Sequence, residues 1–254
     1  MENLKYKEEQ LISEKKLRYK TIVAFIIFFV MIIAAIVGWN KLRKQPTTAN
    51  APKTIRSVLD YNGDFFSNFI SNNHLAKTYP VSAAVKSVRV NGDVGMSNDF
   101  DPATWKLQVI RNAGDTLFLT MDDIKALPKT DIVFDFKCIE GWSQVTHWAG
   151  VRFSDFAKAY HLNAQTQLKY VGMQTPDKQY YVGIDMSSMM HPQTLLCYEM
   201  NGQPLPMDQG YPLRLIIPVK YGIKSIKRIG EIFFSNERPP DYWYERGYDY
   251  FSGL

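Results

Sequence analysis

Two cysteines occur in the 254-residue chain, Cys138 and Cys197, and the first sits in a run of potentially reactive groups, "DFKCIEGWSQ", residues 135–144. A free thiol titrates near about 8.5 and becomes reactive where a cation, a helix N-terminus or a metal ion stabilises its thiolate. Glu140, two residues on, works against that. Three roles stay open for Cys138 on residue chemistry. As a nucleophile it needs a base; His147 is the nearby histidine, and the Cys–His hydrolase signatures do not match. As a metal ligand it needs no base, because the ion itself deprotonates the thiol, and a soft thiolate suits a redox metal. As a small buried hydrophobe it needs no chemistry. The two cysteines form no metal-spacing motif and no disulfide framework.

A second constellation lies at residues 201–232, where Gly and Pro set turns around a short strand. Arg214, Lys220, Lys224, Lys227 and Arg228 follow one another within fifteen residues there. Such a cluster is either a solvated face or a phosphate cradle built from cations and backbone N–H groups. Each charge-assisted hydrogen bond in a cradle contributes about 1.5–3 kcal/mol.

The elements that must position these groups read as short strands separated by turns, beginning near residue 77. "AAVKSVRV" precedes "NGD", "WKLQVI" precedes "NAGD", and "LFLTMDDIKALP" passes from strand to short helix. "TDIVFDFKCI" is a β-rich run that delivers Cys138, and "FSDFAKAYHL" predicts a helix with Ser154 as its N-cap. "LKYVGMQT", "YYVGIDM", "YPLRLIIPV" and "IGEIFF" complete the set, and His191 before Pro192 is expected in a turn that starts a helix. There is no long βα alternation and no Gly-rich dinucleotide loop, which argues against a doubly wound fold. No internal repeat or low-complexity tract is present.

The amino-terminal quarter has a different texture. Residues 1–20 are a basic flank, and residues 21–40, "TIVAFIIFFVMIIAAIVGWN", carry no charge. Twenty helical residues at about 1.5 Å each cover the roughly 30 Å hydrocarbon core of a bilayer, with Trp39 placed as an interfacial aromatic. A cleaved signal peptide is the alternative, but its apolar region is shorter, so a retained transmembrane helix is favoured. Lys15, Lys16, Arg18 and Lys20 before the span outnumber Lys41, Arg43 and Lys44 after it; the positive-inside rule then puts the domain outside. Residues 41–76 are expected to form a proline-bearing linker and a helical arm, with Ile55, Val58 and Leu59 at helical spacing and "YNGD" as a turn signal. The remaining 77–254 form the folded domain. The first 44 residues carry nine Lys/Arg against four Glu and so supply the whole net charge of +5. The electrically balanced remainder lacks the basic surface that nucleic-acid binding needs.

Three ordered motifs, "CIEGWS", "MMHPQTLLCYEMNGQPLP" and "GYPLRLIIPVKYGIKSIKRI", resemble the sulfite oxidase superfamily of molybdopterin enzymes. Within it the sequence is most similar to the branch of bacterial protein-methionine-sulfoxide reductase catalytic subunits, from about Val81 to the last residue. The resemblance implies an α+β, sulfite-oxidase-type molybdopterin-binding fold with mixed β-sheets and short helices, preceded here by the one transmembrane helix. It implies a molybdenum–molybdopterin cofactor, with Cys138 as the protein's thiolate on the metal beside two dithiolene sulfurs. Glu140 would serve catalysis, and it, Trp142 and Ser143 would either line the pocket or support the residues that do. Pterin contacts would come from Asn91 in "RVNGD", Thr175 in "VGMQTP", and Gln209 and Arg214 in "QGYPLR". Ser225, Ile226 and Lys227 would wrap the phosphate.

The same resemblance implies oxygen-atom transfer at sulfur, as reduction of an S-oxide small molecule or an oxidised protein. Sulfite oxidation is disfavoured, because an acid stands in "IEGWS" where sulfite oxidases begin an arginine-rich pocket; only Arg152 or Arg111 is left to approach from elsewhere. No haem-attachment motif occurs, so electrons would come from a haem-bearing or quinone-linked membrane subunit. Relatives cross the membrane folded on a twin-arginine signal, for which "SEKKLRYK" offers two lysines; a single-pass protein with a periplasmic catalytic domain is expected. The competing reading is a non-catalytic, membrane-anchored binding module on the same fold.

Overall fold

The computed structural model describes residues 13–67 and 74–254. The first part of the expected basic flank (1–12) and part of the expected arm (68–73) lie outside them. The chain divides into two compact units, one reaching Thr47 and taking in Pro52–Thr54, the other comprising Thr48–Ala51 and Ile55–Leu254.

The first unit is dominated by α1 (Glu14–Arg43), a helix of 30 residues with no buried side chain. Ser13 caps it by accepting from the Lys16 backbone N–H at 3.4 Å, and charged helix formers continue it past both ends of the apolar segment. Its most apolar stretch has a mean hydropathy of 3.0, long and apolar enough to cross a membrane.

Two two-residue strands, β1 (Thr47–Thr48) and β2 (Ala51–Pro52), and helix α2 (Lys53–Ser67) come next. They are followed by β3 (Leu107–Asn112), β4 (Asp115–Leu119), α3 (Met121–Lys125), β5 (Lys129–Lys137), β6 (Ser143–Arg152) and α4 (Phe153–Ala159). The domain is completed by β7 (Tyr170–Gln174), β8 (Tyr181–Asp185), α5 (Met186–Met189), β9 (Leu195–Met200), β10 (Gln203–Pro204), β11 (Arg214–Ile216) and β12 (Glu231–Ser235).

Two five-stranded sheets result, giving an α+β domain of mixed sheets and short helices. One has the order β10-β9-β6-β5, with β11 also paired to β9, and all its pairings are antiparallel. The other runs β4-β3-β12-β7-β8, with β12 parallel to β3 and antiparallel to β7. Strand alternation sorts the core. On β9, Leu196 and Tyr198 face the main core with Val109, Phe153, Met173 and Ile232, while Leu195 and Cys197 face a smaller core with Phe134, Trp148 and Ile216. Each such side chain, fully buried, contributes about 1.5–3 kcal/mol.

Two contacts fix α2 within the second unit. Arg56, 2% exposed, donates to the backbone carbonyls of Ala49 (2.7 Å), Tyr248 (2.8 Å), Tyr244 (3.2 Å) and Thr48 (3.4 Å). Arg238 pairs with Asp60 at 3.0 Å and with Asp64.

Four local expectations are corrected. "AAVKSVRV" forms no strand: Val85 N–H reaches Val145 O at 2.9 Å, but its neighbours bond to side chains, Arg89 N–H to Gln144 and the Val85 and Lys86 carbonyls to Asn201. "YNGD" is no turn but lies inside α2, where a Cβ on Gly63 would meet the Cβ of Phe251 at 3.3 Å; the glycine serves close approach. Helix α4 begins one residue before Ser154, with Arg152 as N-cap, because Phe153 N–H is drawn to Thr194 O at 3.0 Å. His191 follows α5 and leads into β9, its ring facing the His74 carbonyl at 3.1 Å.

Candidate active site

Strands β5 and β6 form a hairpin whose last pair is Lys137↔Ser143. The loop closes on Cys138, whose N–H donates to Trp142 O at 2.9 Å and whose carbonyl accepts from Gly141 N–H at 3.1 Å. Gly141 has φ +87°, a left-handed conformation that a Cβ disfavours; this is the local reason for glycine in "CIEGWS". So constrained, Cys138 is 5% exposed and lines a cavity of about 140 Å³.

Gln209, Arg214, Ser225 and Lys227 line the same cavity. The Arg214 guanidinium is buried. It donates to both the carbonyl and the side-chain oxygen of Gln209 (3.0 Å each) and to Ser225 O (3.3 Å), and it stacks 4.6 Å from the Trp148 ring. Its Nε and the Ser225 hydroxyl have no partner among the described residues. Burial pushes the Arg214 pKa down to about 10, and no carboxylate offsets the cost. Lys227 donates to Gly92 O (3.0 Å) and Asp208 O (2.9 Å); burial, then Arg214, push its pKa down to about 8. Carbonyls satisfy these donors without neutralising them; Asp208 and Asp93 partly offset the Lys227 charge, and Arg214 has no such carboxylate among the described residues. A buried guanidinium, a half-buried ammonium only partly offset by Asp208 and Asp93, an unpaired hydroxyl and an unpaired guanidinium N–H share one cavity with a thiol, and together they fit an anionic cofactor that also carries a thiophilic metal.

The rim is made by residues 88–94. Gln209 Nε2 donates to Val88 O (3.3 Å) and Arg89 O (3.4 Å), and Asn91 Nδ2 lies 3.5 Å from the Cys138 sulfur. Arg89 sits 4.8 Å over the Trp142 ring, and Trp142 Nε1 donates to Glu140 at 3.1 Å. Tyr180, on the same wall, donates to Ile223 O at 2.6 Å.

Seven of the expected site residues therefore line one cavity: Cys138, Glu140, Asn91, Gln209, Arg214, Ser225 and Lys227. Two do not. Ile226 buries its side chain in the main core, its carbonyl accepting from Leu215 N–H at 2.9 Å. Thr175 lines a neighbouring cavity of about 440 Å³ with Phe100, Trp105 and Arg228. Its hydroxyl is consumed in the β7–β8 turn, donating to Asp177 (2.6 Å) and accepting from Tyr180 N–H (3.1 Å).

The five-cation cluster also divides. Lys220 pairs with Asp185 at 2.7 Å and Lys224 with buried Asp241, so both are structural. Arg228 donates to Ser97 O at 2.8 Å and lies over Phe100. Only Arg214 and Lys227 of the five reach the Cys138 cavity. His147 is no base for Cys138: it bonds Asp131 at 2.8 Å, on the face of β6 opposite Trp148. Arg111 is held by Asp115, and neither it nor Arg152 lines the cavity. Cys197 is core, its thiol pushed up to about 12 by burial. Sequence reasoning missed Arg89 and Tyr180. Arg89 was findable as a neighbour of Asn91 in the same rim segment.

The model of the oxidoreductase molybdopterin-binding domain matches residues 93–243. Subunit YedZ1 of Azospira oryzae is 37% identical over 183 residues, 71% of this chain and 69% of that one. The protein-methionine-sulfoxide reductase catalytic subunit MsrP of Campylobacter jejuni is 32% identical over 208 residues, 74% of this chain and 68% of that one. Among solved structures, the sulfane dehydrogenase SoxCD of Paracoccus pantotrophus is matched at TM-score 0.48 and 17% identity, over 55% of this chain and 40% of that one. The chain belongs to the oxidoreductase molybdopterin-binding domain family, within the sulfite oxidase superfamily that its motifs resemble.

Proposed function

We propose that this oxidoreductase is a membrane-anchored, molybdenum-dependent enzyme that removes an oxygen atom from an S-oxide of the methionine-sulfoxide type. The observation that carries the reading is the buried, unneutralised Arg214 lining the same cavity as Cys138. When bound, the cofactor supplies the two-electron change that, with two protons, turns an S-oxide into a thioether and water. The protein's own groups prepare the site for it. Cys138 offers its thiolate to molybdenum, and Asn91 presents an N–H to that sulfur. Arg214, Lys227 and the Ser225 hydroxyl hold the anionic end, with Gln209 orienting the guanidinium. Trp142 holds Glu140 at the rim, where a carboxyl group can hand on a proton to the leaving oxygen. Trp148 and Phe136 keep the inner wall dry.

Identity to MsrP over about two thirds of that subunit supports the S-oxide class. The apolar α1 supports a single-pass anchor, and a periplasmic domain agrees with the charge flanks. Electrons then come from a separate haem-bearing or quinone-linked membrane subunit.

The full chain, purified from a host that makes the cofactor, is expected to hold molybdenum and to reduce methionine sulfoxide with a reduced viologen as donor. Cys138→Ser is expected to lose the metal. Metal retained in that variant would overturn the ligand assignment, and a metal-loaded chain inert toward S-oxides would overturn the reaction.

A further inference from the structure

Helix α2 is amphipathic in an inverted sense. A surface helix ordinarily turns its apolar stripe to the protein and its polar stripe to water. Here the polar stripe is the docked one: Arg56 is tied to four carbonyls, Asp60 pairs with Arg238, and Gly63 packs on Phe251. At 3.6 residues per turn, Ile55, Val58, Tyr61, Phe65 and Phe66 fall in an arc of roughly 140° on the other side. They are 38%, 54%, 69%, 46% and 57% exposed. Tyr61 stacks on Phe65 at 6.4 Å and Phe65 meets Phe66 edge-on at 5.3 Å, so the three aromatics form one patch.

We infer that this outward face of α2 lies on the lipid surface of the membrane. Chain continuity selects lipid as the occupant. Only nine residues, 44–52, separate α1 from α2, and such a connector spans at most roughly 32 Å. If α1 crosses the bilayer, α2 starts within that distance of its face. The flank suits an anionic headgroup layer, with Lys41 and Arg43 in the last turn of α1 and Lys44 opening the connector. Tyr61 is the amphipathic aromatic favoured at that depth. Amphipathic helices of this kind settle about 5–10 Å into the headgroup–acyl boundary. The α2 contact would give the catalytic domain a second hold on the membrane and a fixed orientation toward membrane-borne electron donors.

This inference rests on the proposed anchoring by α1, and the test separates the two. The full chain carrying Tyr61→Cys, or Val58→Cys as a second position, is labelled with an environment-sensitive fluorophore. It is placed in nanodiscs of phosphatidylcholine and phosphatidylglycerol, with and without nitroxide-bearing lipid. The labelled parent chain gives the background, and Phe118→Cys, on exposed β4, is the control site. The expected result is at least about a twofold loss of emission at positions 58 and 61 with nitroxide lipid, and none at 118. Equal, negligible quenching at all three sites in chains that still float with lipid after carbonate washing overturns the α2 assignment alone. A chain that does not float overturns the anchor and this inference together. Absent quenching combined with cross-linking of position 61 to a protein in native membranes overturns it in favour of a protein partner.

Discussion

The side-chain amide of Asn91 lies 3.5 Å from the sulfur of Cys138, although 47 residues separate them in the chain. One N–H is thus offered to this sulfur from a rim segment that Gln209 holds in place. Asn91 is exposed and off the core, so Asn91→Ala is expected to leave the stability of the cofactor-free chain within about 0.5 kcal/mol. Losing a hydrogen bond to a charged sulfur costs about 1.5–3 kcal/mol, or roughly tenfold or more in metal retention. Metal content after dialysis against a chelator, beside a denaturant curve, checks both halves.

Gly141 and Gly114 provide a matched pair. Both have positive φ, +87° and +80°, and in both a Cβ would meet nothing within 4 Å. Alanine at either is expected to cost about 1–2 kcal/mol through the backbone alone. Gly114→Ala, in the β3–β4 turn, should do no more than that. Gly141→Ala should also lower cofactor content, because the same loop aims Cys138. Equal cofactor content in the two variants would count against that link.

Lys227 sets a pH dependence. Its folded value, about 8, lies below the ordinary 10.5, so between them the unfolded chain binds more protons and stability from this group rises with pH. Below pH 8 the desolvation cost of the half-buried ammonium is fully present. Lys227→Met is therefore expected to stabilise the cofactor-free chain near neutral pH by about 1–2 kcal/mol, after discounting for solvent access, and to flatten the alkaline rise. Lys220 is also pushed down to about 8, so the difference between parent and variant is what denaturant midpoints must show. A bound phosphate reverses the sign, and cofactor retention should fall as pH rises through 8.

Asp241 should be the costliest single carboxylate to remove. It is nearly sealed, pairs with buried Lys224, and accepts from Gly183 N–H (3.1 Å) and Tyr244 N–H (2.9 Å). Asp241→Asn strands an ammonium in the interior and is expected to cost about 3–5 kcal/mol. Glu199→Gln, at the half-exposed pair with Lys129, should leave the thermal midpoint nearly unchanged.

Elements that obey a local rule were legible in the sequence. The β-rich run ending in "KCI" is β5, the alternating runs are β7, β8 and β12, and "TMDD" is a capping box on α3. Seven cavity residues were legible through motif resemblance, since nothing in residue chemistry alone chose between a core, a ligand and a nucleophilic Cys138. What was not legible depends on distant partners. Residues 83–90 look like a strand but find side chains instead of a ladder. The "YNGD" stretch looks like a turn but is held helical by Arg238. Lys220 and Lys224 look like phosphate ligands until Asp185 and Asp241 arrive from 35 and 17 residues away.

The four carbonyls gathered by Arg56 belong to two stretches nearly two hundred positions apart, residues 48–49 and residues 244–248. One guanidinium is therefore a common lock for both ends of the catalytic domain. A protease that nicks the carboxyl-terminal tail near Tyr244 would loosen the entry of α2 as well, and an affinity tag is better spliced into an exposed hairpin such as β3–β4 than grafted beside either end.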